Sequence, residues 1–499
     1  MQNNLSLEEI QSFEGKYPKQ LWYLFFSEMW ERFCFYGMRG MLTIFMVSQL
    51  MMPDKEANLQ YGATQAWVYA FTFIGGLFAD KILGFKKSLF WGGILMILGS
   101  AILMLNPTLF FFTGISFLIV GTGFFKPNIS SMVGQLYKEN DNRKDAGFSL
   151  FYSGINLGAL LGGVLMIGIA QGDILGSVVP VAMRWNVAFG LVAVVMLVSL
   201  LIFVFTKREL GPIGDAPFEM ASSDKKWYEY AVYLGSLIAV PIIIQMVSNT
   251  VYTDWFMYII GPFSIVYLIY EMTKLSRKEN EKLIAAFVFI IFSVVFWAIF
   301  EQAGGSLSLF ADKHLEGTLV GFTPNQINNS SNALFVIIFA PLLGLLWLWL
   351  SKRKLEPNSV VKFGIGFLFL GLCFFIFSWL KTTNNGNGIA SLSWFTIGYF
   401  VVTLGEISLS PIGLSLMTSL STQKLQGFMM GMWFLASAYG QYVAGLFGAA
   451  ISPAETASAT EKLNIYCDGY NQFAWYAIAA GALIIVISPL IRKMMQEVK

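Results

Sequence analysis

Charge is scarce. Asp, Glu, Lys and Arg make up 12% of the 499 residues, where a soluble domain carries about 25%. Neither sign dominates: 32 Lys and Arg face 30 Asp and Glu, a net charge of +2. No strong field therefore steers a polyanion, and nucleic acid is excluded as a partner. There are three cysteines, Cys34, Cys373 and Cys467, too few for a disulfide framework. Cys34 and Cys373 fall in apolar helical stretches, and Cys467 is expected in a loop. The one histidine, His314, rules out a His-rich metal site and is expected on a solvated outer loop. No carboxylate ligand spacing suggests a metal either, so no cofactor is expected. The first 20 residues are polar, with Glu8, Glu9, Glu14, Lys16 and Lys19. They show no basic stretch followed by an apolar core, which argues against a cleaved signal peptide. Ser6 and Glu9 have capping-box spacing and predict a short surface helix.

What the sequence has is apolar mass. Hydrophobic residues make up 56%, Phe alone occurs 46 times, and mean hydropathy is +0.63. A soluble fold of this size cannot hide so much apolar surface, so a soluble enzyme and a disordered chain are both excluded. A membrane span needs about 20 mainly apolar residues. Fourteen candidates are visible, at 21–50, 60–80, 87–105, 108–136, 146–170, 181–206, 227–249, 251–275, 282–311, 328–350, 361–381, 390–415, 425–450 and 470–492. Their spacing is helical, without the alternation of an outer-membrane barrel. With the N-terminus inside, 24 Lys and Arg fall in inward segments, 5 in outward loops and 3 within spans. That bias predicts a multi-pass protein of the inner (cytoplasmic) cell membrane, embedded in the lipid bilayer, with both termini cytoplasmic. The spans group as six, two and six. The segments are a cytoplasmic stretch 1–20, a six-helix bundle 21–206, a linker with a two-helix insertion 207–281, a second bundle 282–492 and a tail 493–499. Gly76 to Asp80 and Lys81, with Gly84, Lys86 and Lys87, resembles the Gly-xxx-Asp loop signature of the major facilitator superfamily. The expectation is an all-α membrane protein with the major facilitator fold and 14 transmembrane helices arranged 6+2+6.

Several charges lie where a membrane helix should have none. A charge at mid-membrane costs ~2.5–3.5 kcal/mol on insertion scales. The first span carries Glu28, Glu31, Arg32 and Arg39. On a helical wheel these four, with Phe35 and Tyr36, fall in one arc of about 140°. Such an arc must face a polar interior. Numbering the six-plus-six spans and leaving out the extra pair, span four adds Lys126, span seven Glu301 and span ten Glu406. A cavity holding both signs suits a zwitterion, or an ion exchanged between carboxylates; static salt bridges are the bland alternative. Asn156, Asn332 and Ser437 are polar residues in spans five, eight and eleven, where interhelical hydrogen bonding is the ordinary role. Tyr69, Tyr152, Trp297 and Trp433 are aromatics whose ordinary role is packing. Pro127, and Pro411 after Ser410, are candidate bending points.

Two motifs then become recognisable. Glu28-x-x-Glu31-Arg32-Phe33-x-Phe35-Tyr36-Gly37 resembles the ExxERFxYYG motif of the proton-coupled oligopeptide transporter family (POT, or PTR). Phe151-Tyr152-x-x-Ile155-Asn156-x-Gly158 resembles that family's FYxxINxG signature. Phe125-Lys126-Pro127-Asn128, the Phe-Glu-Gln at 300–302 and Glu406 match in order and placement, and the resemblance covers about 20–490. It implies a functional monomer that imports di- and tripeptides with protons by alternating access between two six-helix bundles. The extra pair resembles the two additional helices of bacterial members. By matched position, Arg32, Lys126 and Tyr36 would hold the peptide carboxylate. Asn156, Asn332 and Glu406 would hold its amino group. Tyr69, Tyr152, Trp297, Trp433 and Ser437 would shape side-chain pockets. Glu28, Glu31 and Glu301 would serve proton coupling, with Arg39 the partner of Glu301.

Two departures stand out. Phe35 replaces the first Tyr of the YYG triplet, so one hydroxyl is missing. The span-two histidine of mammalian members is also absent, so coupling must rest on carboxylates. Transport of an amino acid, nitrate or a drug is the rival within the fold. Nitrate alone would favour a cationic site, which four carboxylates oppose. A membrane-embedded enzyme would need a nucleophile–base pair or metal ligands at depth, and none is visible. A non-transporting sensor would carry an added soluble domain.

Overall fold

The computed structural model describes residues 5–138, 140–216, 222–384, 386–409, 413–422 and 425–496. Among these there is no strand, and fourteen helices reach 18 residues or more. They are α1 (Lys19–Ser48), α2 (Asp54–Phe78), α3 (Phe85–Leu105), α4 (Phe111–Gln135), α5 (Lys144–Gln171), α6 (Arg184–Thr206) and α7 (Ser222–Ser248). The rest are α8 (Thr250–Met272), α9 (Arg277–Phe300), α10 (Pro324–Lys352), α11 (Ser359–Trp379), α12 (Leu392–Leu409), α13 (Gln426–Ala450) and α14 (Ala459–Val486). Eleven candidate spans among the described residues are long and apolar enough to cross a membrane. The sequence suggested fourteen. The helices outside the eleven are α1, α4 and α13, which hold the charged arc, Lys126 and the polar run through Ser437 and Gln441. Three of the site-bearing helices thus fall below the apolarity of an ordinary span, while α2, α5, α9, α10 and α12, which carry the rest of the site, do not.

Helix starts follow local chemistry. The Ser6–Glu9 capping box forms and opens a short helix, Leu7–Gln11. The same reciprocal pairing opens α9 at Ser276 and Glu279 and α14 at Ser458 and Glu461. Pro127 lies inside α4, which continues through it, while Ser410 and Pro411 lie outside the described residues. The segment after α2 is not an open loop. It is a π-helical turn, Ala79–Leu83, ended by Gly84 at φ 75°.

Packing divides the chain into two units: Met1–Met41 with Trp67–Asn249, and Leu42–Ala66 with Thr250–Lys499. In the first, α3 and α4 pack so closely that a Cβ on Gly92 would sit 2.6 Å from the Gly121 carbonyl. Small residues at such crossings let backbones approach, the usual device in membranes. Asn128 clamps the same pair, giving its amide hydrogens to Ser88 Oγ at 2.8 Å and the Phe124 carbonyl at 2.6 Å. In the second unit, Gly62 and Gly445 make a comparable approach, and an aromatic cluster of Phe310, Phe377, Phe395, Tyr466 and Tyr470 fills the core.

Two expectations fail here. His314 is buried, not solvated. It ends a short helix, Ser306–His314, with Nδ1 2.9 Å from the Gly388 carbonyl and its ring against Phe310 and Tyr466. The burial comes from contacts distant in sequence, which local polarity around Asp312 and Lys313 concealed. Cys467 is likewise buried inside α14 rather than in a loop.

Candidate functional site

In the first unit, α1 delivers its charged arc as a buried cluster. Glu28, Glu31 and Arg32 are each at most 2% exposed. Arg32 Nε lies 2.7 Å from Glu28 Oε1 and 2.9 Å from Glu31 Oε2. One guanidinium is thus shared by two carboxylates three residues apart. Glu28 Oε2 and Glu31 Oε1 accept no hydrogen bond among the described residues.

Phe35 is the feature the sequence did not foresee. It stands where the resemblance suggested only a lost hydroxyl, yet two cations lie over its ring. Arg32 lies 5.6 Å from its centroid and Lys126 Nζ 5.0 Å. Lys126, from α4, is also 4.2 Å from the Tyr69 ring of α2, and Arg39 is 5.8 Å from the Tyr36 ring. Arg32, Lys126, Phe35 and Tyr69 are therefore brought together, with Lys126 held by aromatic faces. Asn156 is buried on α5 and donates to the Tyr152 carbonyl of its own helix at 2.9 Å. Tyr152 is exposed.

In the second unit, Asn332 on α10 and Glu406 on α12 are paired. Asn332 Nδ2 donates to Glu406 Oε2 at 2.7 Å and to Thr403 Oγ1 at 3.1 Å. Thr403, which sequence reading passed over, is fully buried and donates to the Tyr399 carbonyl at 2.7 Å. The Tyr399 hydroxyl donates to Asn328 Oδ1 at 2.6 Å, and Asn328 Nδ2 donates to the Ala303 carbonyl at 2.8 Å. That carbonyl belongs to the 3₁₀ turn Glu301–Gly304, which follows α9 and carries the buried Glu301. A polar path thus runs from Glu406 to the Glu301 turn within one unit. Two more bonds fix the turn. Gln302 Nε2 donates to the Ala444 carbonyl of α13 at 2.9 Å, and Thr43 Oγ1 donates to the Gly304 carbonyl at 2.5 Å. Trp297 is half-buried, with its Cβ against Gly440, and Trp433 lays its ring over Gly413. Ser437 Oγ donates to the Trp433 carbonyl at 3.3 Å. Arg39 belongs to the first unit and Glu301 to the second.

Comparison with known proteins adds the following. The POT family model matches residues 86–463. The chain is 34% identical to the peptide transporter YePEPT of Yersinia enterocolitica, covering 99% of this chain and 98% of that protein. It is 30% identical to the di-/tripeptide transporter of Lactococcus lactis, covering 97% of each. Among solved structures, a mutant of a peptide transporter POT in complex with alafosfalin superposes with a TM-score of 0.82 at 31% identity, over 99% of this chain and 100% of that one.

Proposed function

The chain belongs to the POT family and has the major facilitator fold of that family's transporters, and on that premise we propose that it is a proton-coupled symporter of di- and tripeptides. It works as a monomer in the cytoplasmic membrane, with both termini in the cytoplasm and protons as the coupling ion. Arg32, Lys126 and Tyr36 hold the peptide carboxylate. Glu406 and Asn332, together with Asn156, hold the amino group. Tyr69, Tyr152, Trp297, Trp433 and Ser437 bound the space for side chains. Fixed charges of both signs offset the water a dipeptide's termini lose on entry. Recognition of main-chain ends leaves the side chains free to vary.

Coupling falls to Glu28, Glu31 and Glu301, with Arg39 as the counter-ion of Glu301. A carboxylate parted from its cation in a low-dielectric site takes up a proton. The proton then replaces the ion pair, and the helix that carries it is free to move.

The observation that carries this reading is the sharing of Arg32 by two buried carboxylates, because a peptide carboxylate arriving at that cation competes with Glu28 and Glu31, and a proton relieves the competition. The test is uptake of labelled dialanine into proteoliposomes, with and without an inward proton gradient. Gradient-dependent uptake inhibited by other di- and tripeptides, and not by free alanine, supports the proposal. Inhibition by alanine alone would transfer it to an amino-acid carrier.

A further inference from the structure

At one end of the first unit the N-terminus of α3, the end of α6, the linker after it and the insertion helix α7 enclose a cavity of about 370 Å³. Its charged lining is Lys86, Lys87, Lys207, Arg208 and Asp215, and its apolar walls include Phe90 and Tyr233. Two of the cations are already engaged. Lys86 Nζ lies 3.0 Å from Asp215 Oδ1 and also meets the Gly211 carbonyl, and Lys87 Nζ lies 2.5 Å from Glu229 Oε1. Lys207 and Arg208 are exposed, and among the described residues neither has a carboxylate within ion-pair distance. Lys207 rests over the Phe90 ring, 5.7 Å from its centroid. The cavity therefore carries two uncompensated positive charges beside an aromatic wall. α7 fixes that wall, through Trp91 Nε1 to Ser236 Oγ at 2.9 Å and through the Trp91–Tyr233 ring contact at 4.9 Å.

We propose that this cavity binds the phosphate of an anionic phospholipid headgroup, with Lys207 and Arg208 as the phosphate ligands. Three features fit a lipid phosphate. The site lies at the ends of α3 and α6, where a membrane helix leaves the hydrocarbon. It is at the Lys- and Arg-rich end that the charge bias assigns to the cytoplasm, facing the anionic leaflet. The helices that line it carry exposed aromatics near these residues in sequence, Trp227 and Tyr230 ahead of Tyr233 on α7 and Phe205 ahead of Lys207 on α6, as expected at the headgroup level. An Arg and a Lys side by side offer a forked donor and a point charge to one phosphate. The insertion pair gains a role here, since α7 supplies one wall of the cavity.

The test is native mass spectrometry of the purified full chain titrated with phosphatidylglycerol or phosphatidylcholine. The site predicts retained phosphatidylglycerol and little phosphatidylcholine. Each basic residue near an anionic surface contributes about fivefold, so Lys207→Gln with Arg208→Gln should weaken phosphatidylglycerol binding roughly thirtyfold. Lys352→Gln with Arg353→Gln, an exposed basic pair at the end of α10, removes the same charge elsewhere and should leave it unchanged. Equal loss in both double variants, no loss in either, or equal retention of phosphatidylcholine would overturn the site. Displacement of the lipid by millimolar inorganic phosphate would reassign it to a soluble anion, against the proposal.

Discussion

Asn332 spends both hydrogens of its side-chain amide on α12, one on Glu406 at 2.7 Å and one on Thr403 at 3.1 Å. Thr403 thereby fixes the orientation of the group that holds Glu406. Replacing it by Val keeps its shape but leaves one half-buried N–H without this acceptor, a loss of about 1 kcal/mol. Thr403→Val is expected to raise the half-saturating concentration of dialanine by roughly fivefold or more, with Thr403→Ser close to wild type. N-acetyl-dialanine, which lacks the ammonium, should lose far less. Equal losses for the two peptides would show that Thr403 serves packing alone.

Arg32 is the shared ion-pair partner of two buried carboxylates. Removing one partner of a buried ion pair costs about 3–5 kcal/mol, so Arg32→Ala should lower the melting temperature as well as abolish uptake. Arg32→Ala combined with Glu28→Gln and Glu31→Gln should regain much of the melting temperature without regaining uptake. Thermal unfolding in detergent and uptake in proteoliposomes separate the two effects. Recovered uptake in the triple variant would remove Arg32 from the peptide site.

Phe35 makes a separate claim. A cation over a ring is worth about 0.5–1 kcal/mol when exposed and ~2 when desolvated. Phe35→Leu removes the plate facing Arg32 and Lys126 and should weaken dialanine competition roughly fivefold to thirtyfold. Phe35→Tyr keeps the plate and should stay close to wild type in affinity, with changes confined to the ranking of a peptide panel. If Phe35→Leu binds as well as wild type, the ring does not organise the cations.

Glu301→Gln should separate exchange from accumulation. The amide mimics a protonated carboxyl that cannot release its proton. Counterflow of labelled dialanine should persist, while accumulation driven by a proton gradient is lost. Tyr399→Phe tests the path behind Glu301. It deletes the hydroxyl that donates to Asn328 and should shift the pH profile of uptake while leaving counterflow affinity intact. Accumulation that survives in Glu301→Gln would move coupling to Glu28 or Glu31.

The charged residues were the most legible part of this chain. Glu28, Glu31 and Arg32 fall in one arc at helical spacing, and any helix built there brings them together. The pairing of Asn332 with Glu406 could be suspected from the resemblance but not measured from it, because it joins α10 to α12 across 74 residues. Thr403 gave no signal, since a threonine in an apolar span looks like packing until its hydroxyl is placed. Phe35 misled in the opposite sense: compared with a tyrosine, it read as a loss, and only the positions of Arg32 and Lys126 reveal its ring as a contact. His314 sits among polar neighbours, and its burial depends on Gly388 and Tyr466, far along the chain. Lys207 and Arg208 read as ordinary inward-facing charges. The cavity they line exists only because α7 folds back against α3.

The most direct measurement follows the proton itself. Proteoliposomes are loaded with a pH-sensitive dye, with no gradient imposed and potassium and valinomycin clamping the potential, and dialanine is added outside. The account predicts internal acidification that follows peptide entry, saturates with dialanine and disappears in Glu301→Gln. Labelled dialanine that enters at full rate while the internal pH stays constant would contradict it.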